Sequence, residues 1–302
     1  MTLEQRTPDV PARDGRPTVD VAVVVPVRDR AEMLDRALRS VATQTVRPTE
    51  VVVVDDVSSD ASPDVALAHG ATLVRMPENG GSGRARNAGI THATATWVAF
   101  LDSDDEWLPR HLELLVAAGE GEGLVTAPSV TTTGLVMGNA WRRPLRLSPR
   151  RLLVPGNVIT TSGTMVRREL LNRVGGFRPL PRAQDLDLWL RVMERAPGVA
   201  LPRPTVLYHM HDTQASSDWD ATRRCFDDII DSHATSSWMD ARLRQQAYAR
   251  VHWDEARAAQ RAGRSGEARA RLGWLARRPR TWLPLLQLFA ARRASRFPLA
   301  AA

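Results

Sequence analysis

Short apolar, β-branched runs alternate with segments of helical periodicity in the first third of the chain, and this alternation limits the fold most strongly. The runs cover residues 21–27, 51–54, 71–76 and 96–101. Continuous apolar runs of this length are typical of strands buried on both faces of a parallel sheet. Between the first two runs, apolar residues from Leu34 to Val41 follow the i, i+3, i+4, i+7 spacing of a helix. The pattern predicts a doubly wound α/β sheet, and 302 residues suffice for a large core.

The second half of the chain has a looser pattern. Short strand candidates, separated by loops rich in arginine and proline, lie at residues 124–126, 164–166 and 205–208. Leu186 and Leu190 predict a helix directly after Asp185. From Trp219 onward the sequence predicts mostly helix.

Arginine supplies all of the basic charge, because the chain contains no lysine. This excludes a P-loop, which needs a lysine on the nucleotide phosphates, and it excludes Schiff-base chemistry. The single cysteine, Cys225, excludes an internal disulfide and a metal cage built from cysteines.

The positive charge is concentrated at the C-terminal end. The formal net charge is +7, but residues 241–302 contain 14 arginines against three acidic residues, so the rest of the chain is net acidic. A basic tail beside an acidic body favours an anionic membrane surface or an acidic partner over nucleic acid. The alternative is an ordinary solvated helix face.

Neither end of the chain predicts a secretion signal or a membrane span. Residues 1–17 are polar, which predicts a flexible tail on a cytoplasmic protein. No apolar run reaches the roughly 18 residues of a spanning helix, and the longest candidate, residues 282–291, contains a proline. The basic tail with Trp274, Trp282 and Phe289 is expected to dock on the inner membrane face, and packing of these helices on the body is the rival expectation.

Two of the predicted strands end in carboxylates. Asp55 and Asp56 follow the second strand, and Asp102, Asp104 and Asp105 follow the fourth. Ligands of parallel α/β sheets bind outside these strand ends, where unpartnered like charges would repel one another. A divalent cation, Mg²⁺ or Mn²⁺, would remove this repulsion, because carboxylate oxygens suit both ions. The alternatives are local, namely an Asx-type turn at the first pair and a helix cap at the second group.

A glycine-rich segment, residues 80–89 (GGSGRARNAG), resembles a phosphate-binding loop at the N-terminus of a helix. Arg86 stands where a dinucleotide fingerprint has its last glycine, so a dehydrogenase is the least favoured class of enzyme. Arg84 and Arg86 are candidates to pair with a diphosphate through their planar guanidinium groups. The alternative is again a solvated helix face.

Two further groups of titratable residues lie later in the chain. Asp185 and Asp187 open a predicted helix, where either carboxylate is also a favourable charge in a first helical turn. His209 and His211 share one face of an extended segment, which makes them candidate metal ligands or ordinary surface histidines.

Taken together, these segments resemble the family 2 glycosyltransferases, which have the GT-A fold. The resemblance covers roughly residues 19–215. Its motifs occur in the family's order, and they are residues 24–29 (VVPVRD), 53–60 (VVDDVSSD), 83–89 (GRARNAG), 100–105 (FLDSDD) and 184–190 (QDLDLWL). Each motif is weak alone, but five in order are specific. The resemblance implies a Rossmann-like mixed sheet with flanking helices, followed by a C-terminal helical tail.

The resemblance also implies inverting transfer of a hexosyl group from a nucleotide-sugar, expected to be a UDP-sugar, to an acceptor hydroxyl. It implies that Asp56 binds the base, that Asp102 approaches the ribose and that residues 26–28 line the base pocket. With the two arginines of the glycine-rich loop, the residues expected at the donor are Pro26, Val27, Arg28, Asp29, Asp55, Asp56, Arg84, Arg86 and Asp102. The acceptor is expected to be a glycan or lipid-linked, in the synthesis of a surface glycan or polysaccharide.

The remaining implied roles concern metal and proton transfer. Asp104, with Asp102 and His211, would hold Mg²⁺ or Mn²⁺ at the diphosphate. Asp185 would be the general base that takes the acceptor proton, with a pKa raised by burial near other carboxylates. The family commonly has glutamate before this aspartate, whereas this chain has Gln184, which affects the expected acceptor contacts.

The sequence therefore predicts a domain organisation and leaves two competing functions. Residues 1–18 form a tail, residues 19–215 form the GT-A domain, and residues 216–302 form a basic helical region. Within the domain, residues 19–105 are the nucleotide-binding half and residues 106–215 the acceptor half. The competing functions are a nucleotidyltransferase of similar fold, which releases inorganic diphosphate, and a catalytically inert binding or scaffold module.

Overall fold

The computed structural model describes residues 15–137, 143–154, 159–210 and 219–278 of the chain. Four strands and three helices alternate in the first third, as the apolar runs predict. They are β1 (Thr18–Val27), α1 (Ala31–Ala42), β2 (Arg47–Asp55), α2 (Ser62–Ala68), β3 (Thr72–Arg75), α3 (Gly81–His92) and β4 (Trp97–Phe100).

Shorter strands and helices follow up to residue 210. The strands are β5 (Glu106–Trp107), β6 (Leu124–Thr126), β7 (Ser129–Thr131), β8 (Val136–Met137), β9 (Leu145–Arg146), β10 (Thr164–Arg167), β11 (Gly198–Ala200) and β12 (Val206–Tyr208). The helices are α4 (His111–Ala117), α5 (Pro149–Leu153), α6 (Arg168–Val174) and α7 (Gln184–Met193), with a 3-10 turn at Thr161–Gly163. Three further helices are α8 (Trp219–Ser232), α9 (Ala241–Arg261) and α10 (Ser265–Ala276).

The main sheet has eight strands in the order β3-β2-β1-β4-β10-β6-β11-β9. The four strands of the first third are parallel to one another. Strand β10 is antiparallel to both of its neighbours, which makes the sheet mixed. A second, four-stranded sheet has the order β5-β12-β7-β8. The mixed α/β architecture predicted from the sequence is thereby confirmed.

Alternate residues of β1 belong to two apolar clusters on opposite faces of the main sheet. Val21, Val23 and Val25 pack with residues of α1, α2 and α4, whereas Ala22 and Val24 pack with residues of α6 and α7. Burial on both faces explains why this strand is continuously apolar. The pairing of β4 with β1 ends at Val24, so the missing N–H group of the later Pro26 costs no bond on that side.

The helices of the C-terminal region pack on the rest of the molecule. Ile229 and Ile230 of α8 and Val251 of α9 are buried in the cluster that contains α7. Leu275 of α10 packs with α9 and with Val154. The division of the chain at residue 215 stays a prediction. None of the helices among the described residues is both long and apolar enough to cross a bilayer.

Candidate functional site

A cleft of about 720 Å³ lies at the carboxyl ends of β1, β2 and β4. The strand order reverses here, because β2 and β3 lie on one side of β1 and β4 lies on the other. In open α/β sheets, ligands bind at such a switch point. The first residues of α7 and one residue of α8, Phe226, also line the cleft.

The loops that follow β1 and β2 are hydrogen-bonded to each other beside this cleft. The backbone N–H and the hydroxyl of Ser59 donate to Oδ1 of Asp29 over 2.7 and 2.9 Å, which lowers the pKa of that carboxyl. Residues 26–28 line the cleft as expected, but Asp29 does not. The carboxylate of Asp29 fixes the neighbouring loop, and its expected contact with the donor stays a prediction.

Asp55 at the end of β2 also lies outside the lining of the cleft. Its side chain is 1% exposed and accepts a hydrogen bond from the N–H of Ser58 over 3.0 Å. The Nε atom of Arg75 lies 3.4 Å from its other oxygen. The Asx-type turn that the sequence left open is thus present at Asp55, and the expected donor contact stays a prediction.

Asp56, by contrast, lines the cleft and orders the glycine-rich loop. Its Oδ1 accepts from the N–H of Gly80 over 2.7 Å, and its Oδ2 accepts from the N–H of Gly81 over 2.8 Å. Free N–H groups at a helix N-terminus attract negative charge, and here a carboxylate from the neighbouring strand satisfies two of them. Asp56 thus fixes the start of α3 at the edge of the cleft.

The two arginines of α3 have different environments. Arg84 is half-exposed, pairs with Glu78 over 3.0 Å and does not line the cleft, so its expected contact with the diphosphate stays a prediction. Its position on the outer side of α3 fits the solvated helix face that the sequence left open. Arg86 is buried, lines the cleft, pairs with Asp102 and stacks over the ring of Phe177 at 5.4 Å.

The segment after β4 forms an acidic cluster. Asp102, Asp104 and Asp105 each offer a carboxylate oxygen, and these atoms lie within 4.8 Å of one another. Two arginines compensate this charge, since Arg86 pairs with Asp102 and Arg30 pairs with Asp104 over 2.5 Å. The helix cap considered for this segment is wrong, because α4 begins only at His111.

The third carboxyl of the cluster is buried and has a raised pKa. Asp105 is 2% exposed and accepts a hydrogen bond from the hydroxyl of Ser162 over 2.5 Å. Burial raises the pKa of Asp105 to about 8, and the negative charge of Asp102 adds to the shift. The same hydroxyl accepts from the N–H of Asp102 over 3.1 Å, so Ser162 ties two of the three aspartates together.

The donor set of the cluster fits a divalent cation that prefers oxygen ligands. Three carboxylates with no histidine or cysteine among them suit Mg²⁺ or Mn²⁺ better than zinc. A 2+ ion would also compensate like charges that are costly to bring together. Tyr208 lines the cleft nearby, and burial raises its pKa to about 12, with further increases from the charges of the three aspartates.

The N-terminal turn of α7 brings Asp185 to the cleft. Ala183, which precedes the helix, has a left-handed backbone with φ of 52°, a conformation that costs a residue with a Cβ atom about 1–2 kcal/mol. Burial raises the pKa of Asp185, while the charge of Arg86 opposes that shift. Asp187 has a structural role instead, because Arg178 and Arg191 pair with its fully buried carboxylate.

Gln184, the first residue of α7, packs closely against α3. Its Nε2 donates to the carbonyl of Leu180 over 2.5 Å, whereas its buried Oε1 has no hydrogen-bond partner among the described residues. A Cβ atom at Gly83 would lie 2.0 Å from that Oε1. Gly83 therefore permits the close approach of the two helices that border the cleft.

The two histidines singled out in the sequence have different outcomes. His209 lies after β12, and its Nε2 is 2.7 Å from a carboxylate oxygen of Glu106. Its backbone N–H faces Asp105 at 3.4 Å. His211 lies outside the described residues, so its expected role as a metal ligand stays a prediction.

Sequence reasoning missed several residues that line the cleft or complete the acidic cluster. Asp105 belongs to the acidic segment recognised in the sequence, but no specific role as a metal ligand was predicted for it. Tyr208 and Phe226 come from segments more than 100 residues beyond the acidic cluster. Arg30 follows a turn and carries no local signal of its partner, because its contact with Asp104 spans 74 positions.

A family model described as "Glycosyl transferase family 2" matches residues 22–175, which is about half of the chain. This chain belongs to that family. The matched region contains the acidic cluster but ends before Asp185.

Curated relatives support the same family. The succinoglycan biosynthesis protein ExoO of Rhizobium meliloti is 40% identical over 116 residues, which are 37% of this chain and 33% of the relative. An uncharacterized glycosyltransferase of Nostoc is 32% identical over 190 residues, which are 53% of this chain and 54% of the relative. The chain thus spans a third to about a half of the length of these relatives.

Solved structures show the GT-A fold. TarS of S. aureus, in complex with UDP-GlcNAc, superposes with a TM-score of 0.65 at 19% identity, over 78% of this chain and 72% of that one. A mannosyltransferase of Pyrobaculum calidifontis, in complex with GDP-Man and Mn²⁺, superposes with a TM-score of 0.60 at 22% identity, over 95% of this chain and 82% of that one. The predicted GT-A architecture is thereby confirmed.

Proposed function

We propose that this glycosyltransferase moves a hexosyl group from a nucleotide-sugar to an acceptor hydroxyl with inversion at the anomeric carbon, and that it requires a divalent cation. The observation that carries the proposal is that Asp102, Asp104 and Asp185 line one cleft at the switch point of the sheet, with the carboxylate of Asp105 within 4.8 Å of the first two. The complexes of similar fold with UDP-GlcNAc, and with GDP-Man and Mn²⁺, support both the donor class and the ion.

The donor nucleotide is proposed to bind between the loops after β1 and β2. Residues 26–28 and Asp56 line this part of the cleft, and the backbone N–H of Asp56 donates to the carbonyl of Val27 over 2.8 Å. Hydrogen bonds of Asp29 with Ser58 and Ser59 also join the two loops. The proposed base is uracil. Asp56 remains the proposed contact to the base, although its carboxylate also holds the N–H groups of Gly80 and Gly81.

The ion is proposed to bind to Asp102, Asp104 and Asp105, with His211 as a further candidate. When bound, Mg²⁺ or Mn²⁺ offsets the charge that develops on the departing diphosphate. Asp102 and Asp104 belong to the segment directly after β4, and Ser162 holds that segment through two hydrogen bonds. The chain thus supplies a rigid set of oxygen ligands at the floor of the cleft.

Asp185 is proposed to be the general base. It accepts the proton of the acceptor hydroxyl while the oxygen bonds to the anomeric carbon and the bond from that carbon to the diphosphate breaks. Its raised pKa suits this role, because a carboxylate with too low a pKa accepts protons poorly. A positioned general base contributes roughly 10²–10⁴-fold to such a reaction.

Product analysis tests the reaction class. A UDP-sugar should yield free UDP and a glycosylated acceptor, whereas release of inorganic diphosphate from a nucleoside triphosphate would favour a nucleotidyltransferase. Asp104→Ala and Asp185→Ala should each abolish turnover, and Asp64→Asn on the exposed side of α2 is the matched control. Unchanged turnover in either active-site variant would contradict its assigned role, and no turnover by the wild-type protein with any donor would favour an inert module.

Association with the inner membrane face is proposed only for the end of the basic tail. Within the described residues, Trp274 and Leu275 of α10 pack with α9, which supports the rival expectation that these helices pack on the body. Trp282, Leu285, Leu286 and Phe289 lie outside the described residues. Removing residues 279–302 and finding unaltered binding to anionic liposomes would contradict the proposal.

A further inference from the structure

Arg30 connects the nucleotide side of the cleft to the acidic cluster. Its backbone N–H donates to the hydroxyl of Ser62 over 3.1 Å, and its carbonyl accepts the first hydrogen bond of α1. Its side chain crosses to Asp104, with Nη1 and Oδ2 2.5 Å apart. Both residues line the cleft. The backbone of Arg30 is thus anchored by the loop next to the proposed base pocket, while its charge lies on a proposed metal ligand.

The two arginines at the cluster differ in how firmly they are held. The side chain of Arg86 is 9% exposed and stacks over Phe177, so it is part of the packed interior. The side chain of Arg30 is 30% exposed and borders the open cleft. Only Arg30 therefore has room to leave its carboxylate without disturbing the core.

We propose that Arg30 is an internal counter-ion that competes with the divalent cation for Asp104 until a nucleoside diphosphate binds. A guanidinium group and a divalent cation cannot both occupy the same carboxylate oxygen at close range, because the two positive charges repel. A bound diphosphate supplies negative charge that Arg30 can face instead. The inference rests on the proposed function, since it assumes a diphosphate donor.

The consequence is a coupling between metal and nucleotide. The ion binds weakly to the donor-free protein, and diphosphate binding frees Asp104 for it. Linkage requires that the ion tighten nucleotide binding by the same factor. The arrangement would keep metal occupancy low when no donor is present.

Calorimetric titration of MnCl₂ into the metal-free protein, without nucleotide, tests the proposal. The direction in which the Mn²⁺ affinity changes on replacing Arg30 decides it. Arg30→Gln should bind Mn²⁺ about tenfold more tightly than the wild type, because the competing charge is gone. Arg30→Met, which keeps an unbranched side chain, should show the same tightening, whereas Arg30→Lys should stay near the wild type. Arg39→Gln removes an exposed charge from α1, the helix that directly follows Arg30, and should leave Mn²⁺ binding unchanged.

Repeating the titration with saturating UDP completes the test. UDP should tighten Mn²⁺ binding in the wild type by a larger factor than in Arg30→Gln. Unchanged or weaker Mn²⁺ binding in Arg30→Gln and Arg30→Met, or failure of both variants to fold in a thermal melt, would overturn the proposal and make Arg30 a structural residue. Absence of UDP binding to the wild type, with Mn²⁺ present and with other nucleoside diphosphates also inactive, would instead contradict the proposed function.

Discussion

At the residue scale, backbone strain is concentrated around the cleft. Within the described ranges, the residues other than glycine with positive φ are Asp29, Val57 and Ala183. Asp29 and Val57 lie in the two loops beside the base pocket, and Ala183 precedes Asp185. Strained residues persist where the surrounding structure fixes them, and they are common at functional sites. The three strained residues therefore lie next to the proposed donor and acceptor sites.

Val57→Gly should stabilise the protein. A β-branched residue is rarely left-handed, and this one has φ of 64° with a side chain that is 44% exposed, so little burial is lost. Relief of strain of about 1–2 kcal/mol exceeds the added flexibility of glycine in the unfolded chain, for a net gain of about 0.5–1 kcal/mol. Urea denaturation measures it, with Val65→Gly in α2 as the control that should lose stability. A lower free energy of unfolding for Val57→Gly than for the wild type would show that the substitution does not relieve the strain.

Asp105→Asn should stabilise the metal-free protein at neutral pH and not in acid. The folded protein keeps on Asp105 a proton that the unfolded chain releases, since the pKa rises from 3.8 to about 8 on folding. The free energy of unfolding therefore falls as pH rises between these values, and asparagine removes that fall. Thermal melts in EDTA should show a difference between variant and wild type that widens from about pH 5 to pH 8. A difference independent of pH would contradict the raised pKa.

Local hydrogen bonds limit how well the sequence alone can predict which aspartates face the cleft. Asp102, Asp104 and Asp185 line the cleft because strand and helix ends carry them there, and element ends are visible in a sequence. Asp29 and Asp55 instead accept hydrogen bonds from the N–H groups of Ser59 and Ser58, and such local bonds compete with ligand binding in any Asp-rich segment.

At the scale of elements, α3 packs so closely on β1 that only glycine fits at the point of contact. A Cβ atom at Gly89 would lie 2.4 Å from Cγ1 of Val24, a fully buried residue of β1. The same helix uses the side chain of Asn87 to bind both the N–H and the carbonyl of Phe177 over 2.8 Å. The glycine-rich segment thus serves helix packing as well as the cleft.

Gly89→Ala should destabilise the protein by about 1–3 kcal/mol, because overpacking forces β1 or α3 to shift. Gly266→Ala in α10 is the matched control, since nothing lies within 4 Å of the added Cβ atom. The control should gain about 0.5 kcal/mol from the better helix propensity of alanine. Equal effects of both substitutions on the urea midpoint would contradict the close packing of α3 on β1.

The sequence predicted the strands of the first third, and its three later candidates are confirmed as β6, β10 and β12. It did not predict β5, β7, β8, β9 and β11. The run at residues 51–54 lies within β2 and the run at 96–101 contains β4, because burial on both faces leaves a continuous apolar signal. Strand β5 has two residues, which is too short for any periodicity. The antiparallel insertion of β10 between β4 and β6 depends on pairing between distant segments, which periodicity does not report.

At the scale of the whole molecule, the C-terminal helices complete the core. Ile229 and Ile230 of α8 are fully buried, and Phe226 of the same helix lines the cleft. The family match ends at residue 175, so part of the site is built from chain beyond the matched region. We therefore expect acceptor binding to depend on α8 as well as on α7.

Truncation tests this dependence. A chain ending at residue 215 should lose cooperative thermal unfolding or melt at least about 5 °C lower than a chain ending at residue 278, since loss of α8 and α9 exposes apolar side chains buried in the main cluster. The longer truncation retains every described helix and is the reference. Equal melting temperatures would show that residues 216–278 form a separate unit.

The central claim is that the clustered aspartates after β4 bind a cation that neutralises a nucleotide-sugar. Isothermal titration of Mn²⁺ into the full-length protein saturated with UDP tests it most directly. We predict one Mn²⁺ per chain, with binding lost in Asp104→Ala. Absence of both Mn²⁺ and Mg²⁺ uptake with any nucleoside diphosphate, or unchanged uptake in Asp104→Ala, would contradict the claim.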